Sequence, residues 1–283
     1  MALFIQTNIT AQRALGHLNE TQRSLTNTFE KLSSGLRINA AHDDAAGLAV
    51  SEKLRTKTQS LRQARRNAND GISSIQTAEG ATNQVADILK RMRELATQSS
   101  SETLHNDERS YIQSEFQQLS DEIDRISDTT EFNGIKLTDG ESSGADTSLD
   151  VQVGINNSSN DRIAIQFGNL KTSKLGVAHS GGVGQISMAS ATSAQDALTK
   201  VTKALKVVNT YRSRYGAVQN RIQSSLNNIE TSMETTAAAD SRIRDADFAG
   251  EAARMAKYQV MQQAGTAILG QANGLSQGAL RLL

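Results

Sequence analysis

Apolar residues along the first third of the chain recur at helical spacing. Leu15, Leu18, Leu25, Phe29 and Leu32 fall on alternating three- and four-residue steps, with Gln22 in the one polar slot. That is the pattern of a heptad seam. The spacing predicts a second helix over 69–99, with Ile75, Val85, Leu89 and Met92 on one stripe. It predicts a third over 106–128, where Ile112, Phe116, Leu119, Ile123 and Ile126 repeat in steps of four and three. Residues 33–47 are rich in Ser, Asn, Asp and Gly and read as a connector, and 101–107 reads as a second break.

The pattern changes between 129 and 191. Asn133-Gly134 and Asp139-Gly140 are turn dipeptides. Leu149, Val151, Val153 and Ile155 alternate with other residues, as do Ile163, Ile165 and Phe167, which predicts a β-hairpin closed by the polar loop 156–162. Residues 180–184 form a Gly-rich stretch leading back to helix. From 193 onward Val201, Leu205, Val208, Tyr211, Tyr215, Val218, Ile222, Leu226, Ile229 and Met233 make one long seam, and small residues become frequent after Asp240. The expected fold is mainly α: an elongated antiparallel helical coiled-coil rod from paired N- and C-terminal segments, with a small central β-hairpin region. Such a rod leaves apolar stripe without partners inside one molecule, so another chain has to cover it.

Composition narrows the function. The chain of 283 residues carries 30 Lys plus Arg and 30 Asp plus Glu, which argues against nucleic acid as a partner. Aromatics are 4% of residues and there is no Trp, so the apolar supply of Ala, Leu, Ile and Val suits thin helical layers. The absence of Cys excludes disulfides and thiol chemistry, and the absence of Pro permits long helices. The opening MALFIQTN has neither the basic region nor the apolar run of a Sec-type signal peptide. No run approaches the ~18 apolar residues of a membrane span, so no membrane partner is expected. Composition alone reads as cytoplasmic.

Enzyme signals are nearly absent, and no cofactor or metal is expected. No P-loop or GxGxxG motif occurs. His17, His42, His105 and His179 are scattered, without the spacing of a zinc site. Asp43 and Asp44, being adjacent, do not share a helix face and read as caps of a helix starting at Ala45. Arg62, Arg65 and Arg66 read as a solvated or inter-subunit salt-bridging face. Gly270, Gly274 and Gly278 line one side of a helix, which either loosens it or admits a second helix closely. The polar stretch 6–12 and the Gly-rich C-terminus suit tails that order only when partners arrive.

Several blocks resemble one known family. Residues 30–47, EKLSSGLRINAAHDDAAG, are similar to the flagellin signature ERLSSGLRINSAKDDAAG. Residues 66–80 (RNANDGISSIQTAEG), 91–96 (RMRELA), 132–137 (FNGIKL), 214–221 (RYGAVQNR), 239–247 (ADSRIRDAD) and 262–283 follow in family order. The resemblance implies a non-enzymatic subunit that polymerises into the bacterial flagellar filament for motility. A flagellar hook–filament junction protein, which shares related terminal blocks, is the alternative.

The resemblance further implies five segments: 1–44, N-terminal filament-core helix and connector; 45–128, N-terminal rod helices; 129–191, β-hairpin and variable region; 192–236, C-terminal rod helix; 237–283, C-terminal filament-core helix. Assembly is expected to use Leu15, Leu18, Leu25, Phe29 and Leu32 with Ile268, Leu269, Gly270, Gly274, Gly278 and Leu280. Implied partners are copies of the chain itself, an export chaperone at the C-terminal helix, and the filament cap and hook-junction proteins. An extracellular location reached through the flagellar type III export apparatus replaces the cytoplasmic reading. Arg91, Leu95 and Glu115 match the patch by which vertebrate Toll-like receptor five recognises the family, while Lys90 stands where Gln is common.

Overall fold

A computed structural model of the chain describes residues 8–140, 146–178 and 186–280, with side chains of the last helix described as far as 274. The Gly-rich stretch 180–184 and His179 lie outside the described residues. In order the elements are α1 (Ile9–Ser34), α2 (Ala45–Ser99), α3 (Asn106–Thr129), β1 (Glu131–Phe132), β2 (Ile135–Lys136), β3 (Thr147–Gln152), a 3-10 turn (Ser159–Asp161), β4 (Arg162–Phe167), α4 (Thr172–Leu175), α5 (Ala191–Arg244) and α6 (Phe248–Leu280). They form two compact units, one of 59–233 and one of 1–58 with 234–283.

The 59–233 unit is built on two long stripes. On α2, Leu61, Ala64, Ala68, Gly71, Ile75, Ala78, Thr82, Val85, Leu89, Met92 and Ala96 are all buried and advance in threes and fours. On α5, Ala194, Ala197, Val201, Ala204, Val208, Tyr211, Tyr215, Ile222 and Ile229 do the same, with Val218 half-buried. Ile112, Phe116, Ile123 and Ile126 of α3 join the apolar residues from Ala68 to Ala96 and from Ala194 to Ile222 in one core, while Leu61, Ala64 and Ile229 form a smaller cluster with Met233. Each fully buried Leu, Ile, Val or Phe contributes roughly 1.5–3 kcal/mol against exposure, so this core carries the unit.

Arg109 closes the turn between α2 and α3. Only 7% exposed, it donates to the carbonyls of Ser99 and Ser101 at 3.1 and 2.8 Å. A cation there meets the partial negative charge of the α2 C-terminus.

Two antiparallel hairpins follow. In the first, β1 pairs with β2 across Asn133 and Gly134, whose φ values of 51° and 78° are those of a type I′ turn. In the second, β3 and β4 pair Thr147 with Phe167, Leu149 with Ile165 and Val151 with Ile163. Val151, Ile163, Ile165 and Phe167 face the helices, while Ser148, Asp150, Ala164 and Gln166 face outward.

The ladder stops at Gln152, short of the predicted Val153 and Ile155. There the backbone N–H groups of Val153 and Gly154 both donate to the Asp161 carbonyl, at 2.8 and 3.0 Å, and turn the chain away. The unpredicted α4 is held by Asp124, which accepts from the Thr172 backbone N–H at 2.8 Å and from its hydroxyl at 2.7 Å.

The hairpin seats on the helices at two glycines. A Cβ on Gly71 would stand 3.0 Å from Val151, and one on Gly168 would stand 2.3 Å from the Tyr211 ring. The buried Gly168 N–H donates to the Tyr215 hydroxyl at 3.0 Å. Tyr211 donates to Asp146 at 3.3 Å. Burial first, and then Asp146, pushes the Tyr211 phenol up to about 12, so it remains a neutral donor.

In the other unit α2 begins at Ala45, the start expected from the Asp43–Asp44 caps, and runs unbroken into the stretch predicted from 69. Asp44 caps it by accepting from the Gly47 N–H at 2.8 Å. Asp43 accepts from the backbone of Asn39 and Ala40, each at 3.1 Å, and these bonds hold its carboxyl below the ordinary range. Gly35 ends α1 in the left-handed conformation, with φ 71°. Leu36 then forms a bridge with Asp245, flanked by Arg37 N–H to Arg244 carbonyl at 2.7 Å and Ala246 N–H to Gly35 carbonyl at 3.0 Å. This short backbone pairing breaks the C-terminal helix into α5 and α6.

Candidate assembly surface

α1 and α6 pair antiparallel. The positions of α1 that face inward are Ala11, Ala14, Leu18, Thr21, Leu25, Thr28 and Leu32, and those of α6 are Glu251, Met255, Tyr258, Gln262, Gly265, Leu269 and Ala272. Both sets step by three and four, as a two-helix seam requires. The Asn8 side chain accepts from the Ala11 N–H at 3.0 Å, capping α1, and donates to the Ala272 carbonyl at 3.0 Å. Gln262 donates to Gln22 at 2.5 Å. Leu18 lies 3.1 Å from where a Cβ on Gly265 would sit, so this glycine sets the close approach.

The seam's chemistry is unusual for a core. Its fully buried members are Ala11, Thr21, Thr28, Glu251 and Ala272, none of them a large apolar side chain. Its large members, Leu18, Leu25, Leu32, Met255 and Leu269, are only half-buried, and other large apolar residues of the two helices point outward. Ile9, Leu15, Phe29, Phe248, Val260, Met261 and Ile268 are each at least 45% exposed. In the 59–233 unit the arrangement is reversed, with Tyr215, Phe116, Phe167, Leu89 and Ile165 sealed inside. Exposed apolar residues this numerous on two paired helices mark surface for another chain to cover.

The predicted assembly residues therefore divide. Leu18, Leu25 and Leu32 are half-buried on the seam toward α6, whereas Leu15, 47% exposed, and Phe29, 63% exposed, look outward. Gln22 does not fill the seam position; Thr21 does. Ile268 is 56% exposed and Leu269 is half-buried. Gly270 and Gly274 have open space around them, so they admit no close helix within this chain. Gly278 and Leu280 belong to α6 beyond the described side chains. The sequence reading missed Gly265, Val260 and Phe248. Val260 and Met261 are adjacent large apolar residues on one helix, and that adjacency was the available signal.

The proposed receptor patch is only partly a surface. Arg91 donates to Glu115 across α2 and α3 at 3.0 and 2.8 Å and to Glu94 at 3.2 Å. Glu115, then Glu94, raises the guanidinium pKa. Leu95, however, is 2% exposed within the helical core and presents no side chain to a partner. Its seam neighbour is Met92, and a residue at that spacing is drawn inward by the α2 stripe.

Elsewhere the polar residues make local contacts. His17 lies 4.0 Å from Glu20 and His42 3.5 Å from Asp43. The His105 N–H donates to Glu108 at 3.1 Å at the start of α3. Arg62 and Arg65 are exposed, and Arg66 reaches Gln63 at 3.1 Å. Among the described residues no cluster of three His, Asp or Glu is placed to hold a metal ion, and no helix is long and apolar enough to cross a membrane.

Known proteins carry the same two ends. Residues 5–143 match the bacterial flagellin N-terminal helical region, and 198–283 match the C-terminal helical region. A flagellin of Halalkalibacterium halodurans is 44% identical, covering 96% of each chain. The chain belongs to the bacterial flagellin family. A flagellar filament core protein of Brachyspira hyodysenteriae is 41% identical over 99% of this chain and 100% of that one. A Bacillus subtilis flagellin is 40% identical over 99% of each. The subunit is thus a structural protein that self-associates into the extracellular flagellar filament, and nothing in these likenesses favours a hook–filament junction protein.

Proposed function

We propose that this flagellin joins the filament through the apolar residues that α1 and α6 turn outward, and that both helices become firmly ordered only on docking. The observation that carries the reading is the inverted burial of the 1–58 and 234–283 unit: small and polar side chains inside, Leu15, Phe29, Phe248, Val260 and Ile268 outside. Fixing a backbone costs about 1–2 kcal/mol per residue. A seam of Ala, Thr and half-buried Leu offsets little of that, so burial against neighbouring copies supplies the rest. Free subunits then remain single, and growth is confined to a filament end that offers the complementary face.

The same reading extends to the route. The subunit leaves the cell through the flagellar export apparatus with a chaperone covering α6, and adds beside the cap and hook-junction proteins. Exposed Val260, Met261 and Ile268 give a chaperone an apolar face to shield. Recognition by Toll-like receptor five would rest on Arg91 and Glu115, with Leu95 supporting them from within. Deleting residues 265–283 tests the core of this proposal. The shortened subunit is expected to keep the helical signal and unfolding midpoint of the 59–233 unit while forming no sedimentable filament. Filaments of normal yield from that truncation would overturn it.

A further inference from the structure

Between α1 and α6 lies a groove of about 350 Å³ whose polar lining is unbalanced. Arg23 and Lys31 reach it from α1, and Glu251 and Arg254 from α6. Glu251 is 7% exposed, and Arg254 satisfies it with a bond of 2.7 Å. A buried carboxylate needs a partner of this kind. One cation suffices, yet the groove supplies three. Among the described residues Arg23 and Lys31 form no ion pair, and Lys31 feels Asp43 only at a distance. On α6 the groove adjoins outward apolar residues: Arg254, Met261 and Ile268 recur at seven-residue steps and so share one face, with Met261 45% and Ile268 56% exposed. It is therefore continuous with part of the surface proposed above to meet other copies of the chain.

We infer that this groove is a socket for an acidic side chain of a second copy, with Arg23 and Lys31 as its recognition residues. The inference rests on the self-assembly reading above. The chain supplies matching groups on α1. Glu30 forms no ion pair among the described residues, and the exposed Glu20 has only His17 at 4.0 Å. Charges held beside an apolar face fix the register of that face, because an offset placement strands a cation against hydrophobic surface. The apolar residues drive association, and the socket selects which lateral offset is occupied.

Charge exchange in the full-length chain tests the assignment. Three variants are compared with the parent by critical concentration for filament formation: R23E/K31E, E20K/E30K, and the combination of all four. Each double reversal is expected to raise the critical concentration about tenfold or more, the effect of losing one well-placed charge pair. The four-fold variant is expected to return to within about threefold of the parent, since the pair is restored with its signs exchanged.

R23Q/K31Q, which introduces no repulsion, covers the case in which a reversal unfolds the subunit, and is expected to show a similar rise. Parent-like assembly of R23E/K31E or of R23Q/K31Q would overturn the proposal. Failure of the four-fold variant to recover would mean the groove takes some other anion, and would overturn the second-copy assignment. If L15S/F29S abolishes filaments while R23E/K31E leaves them normal, the apolar reading stands and this one falls.

Discussion

Single residues in this subunit act mainly by what they leave room for. At Gly168 the Tyr211 ring occupies the place of a Cβ, 2.3 Å away. The backbone after β4 cannot retreat without straining the Gly168–Tyr215 bond of 3.0 Å, nor the ring without straining the Tyr211–Asp146 bond of 3.3 Å. Gly168→Ala is therefore expected to destabilise the 59–233 unit by about 1–3 kcal/mol, read as a lower urea midpoint at unchanged slope. Asp43 acts by charge. The Ala40 and Asn39 N–H groups hold its folded pKa below the unfolded value. Its contribution is thus complete above about pH 4 and is lost as pH falls through the folded pKa. Asp43→Asn is expected to cost about 1 kcal/mol at pH 7, and the gap from the parent is expected to close under acid, as followed by unfolding curves from pH 7 to pH 2.

Among the elements, α3 and α5 were legible because their stripes are made of large apolar residues at heptad spacing. Every member of the predicted α5 seam, Val201 to Met233, is buried or half-buried. The start of α2 was legible from its caps, but its stripe before 69 was not, because the inward positions there include Ser51, which is buried and donates to Asp240 at 2.6 Å. The α5–α6 break was also hidden. Asp245, Ala246 and Asp247 contain neither Gly nor Pro, and the break is made by a remote strand-like contact with Leu36.

α1 misled in an instructive way. Leu15 and Phe29 fit a heptad by spacing, yet Thr21 and Thr28 hold the inward places. Periodicity finds an apolar stripe but does not say which chain will cover it. This gives a prediction for the element: L15S/F29S is expected to abolish sedimentable filaments while leaving the unfolding midpoint of the subunit within experimental error, because neither side chain is buried in one chain. A lowered midpoint would place those residues in the internal core instead.

The molecule as a whole divides its apolar surface between two tasks. The 59–233 unit spends it internally, around Tyr215, Phe116 and Phe167. The unit containing both ends seals in Ile38 at 1% exposure, half-buries the seam leucines, and turns Leu15, Phe29, Phe248, Val260 and Ile268 outward. Self-stability and polymerisation are thereby assigned to different stretches of one sequence. Hydrogen exchange resolved by peptide, compared between free subunit and filament, tests this division most directly. The account predicts rapid exchange throughout α1 and α6 in the free subunit, strong protection of both in the filament, and slow exchange in the buried stripes of α2 and α5 in either state. Protection of α1 and α6 in the free subunit equal to that of α5 would contradict it.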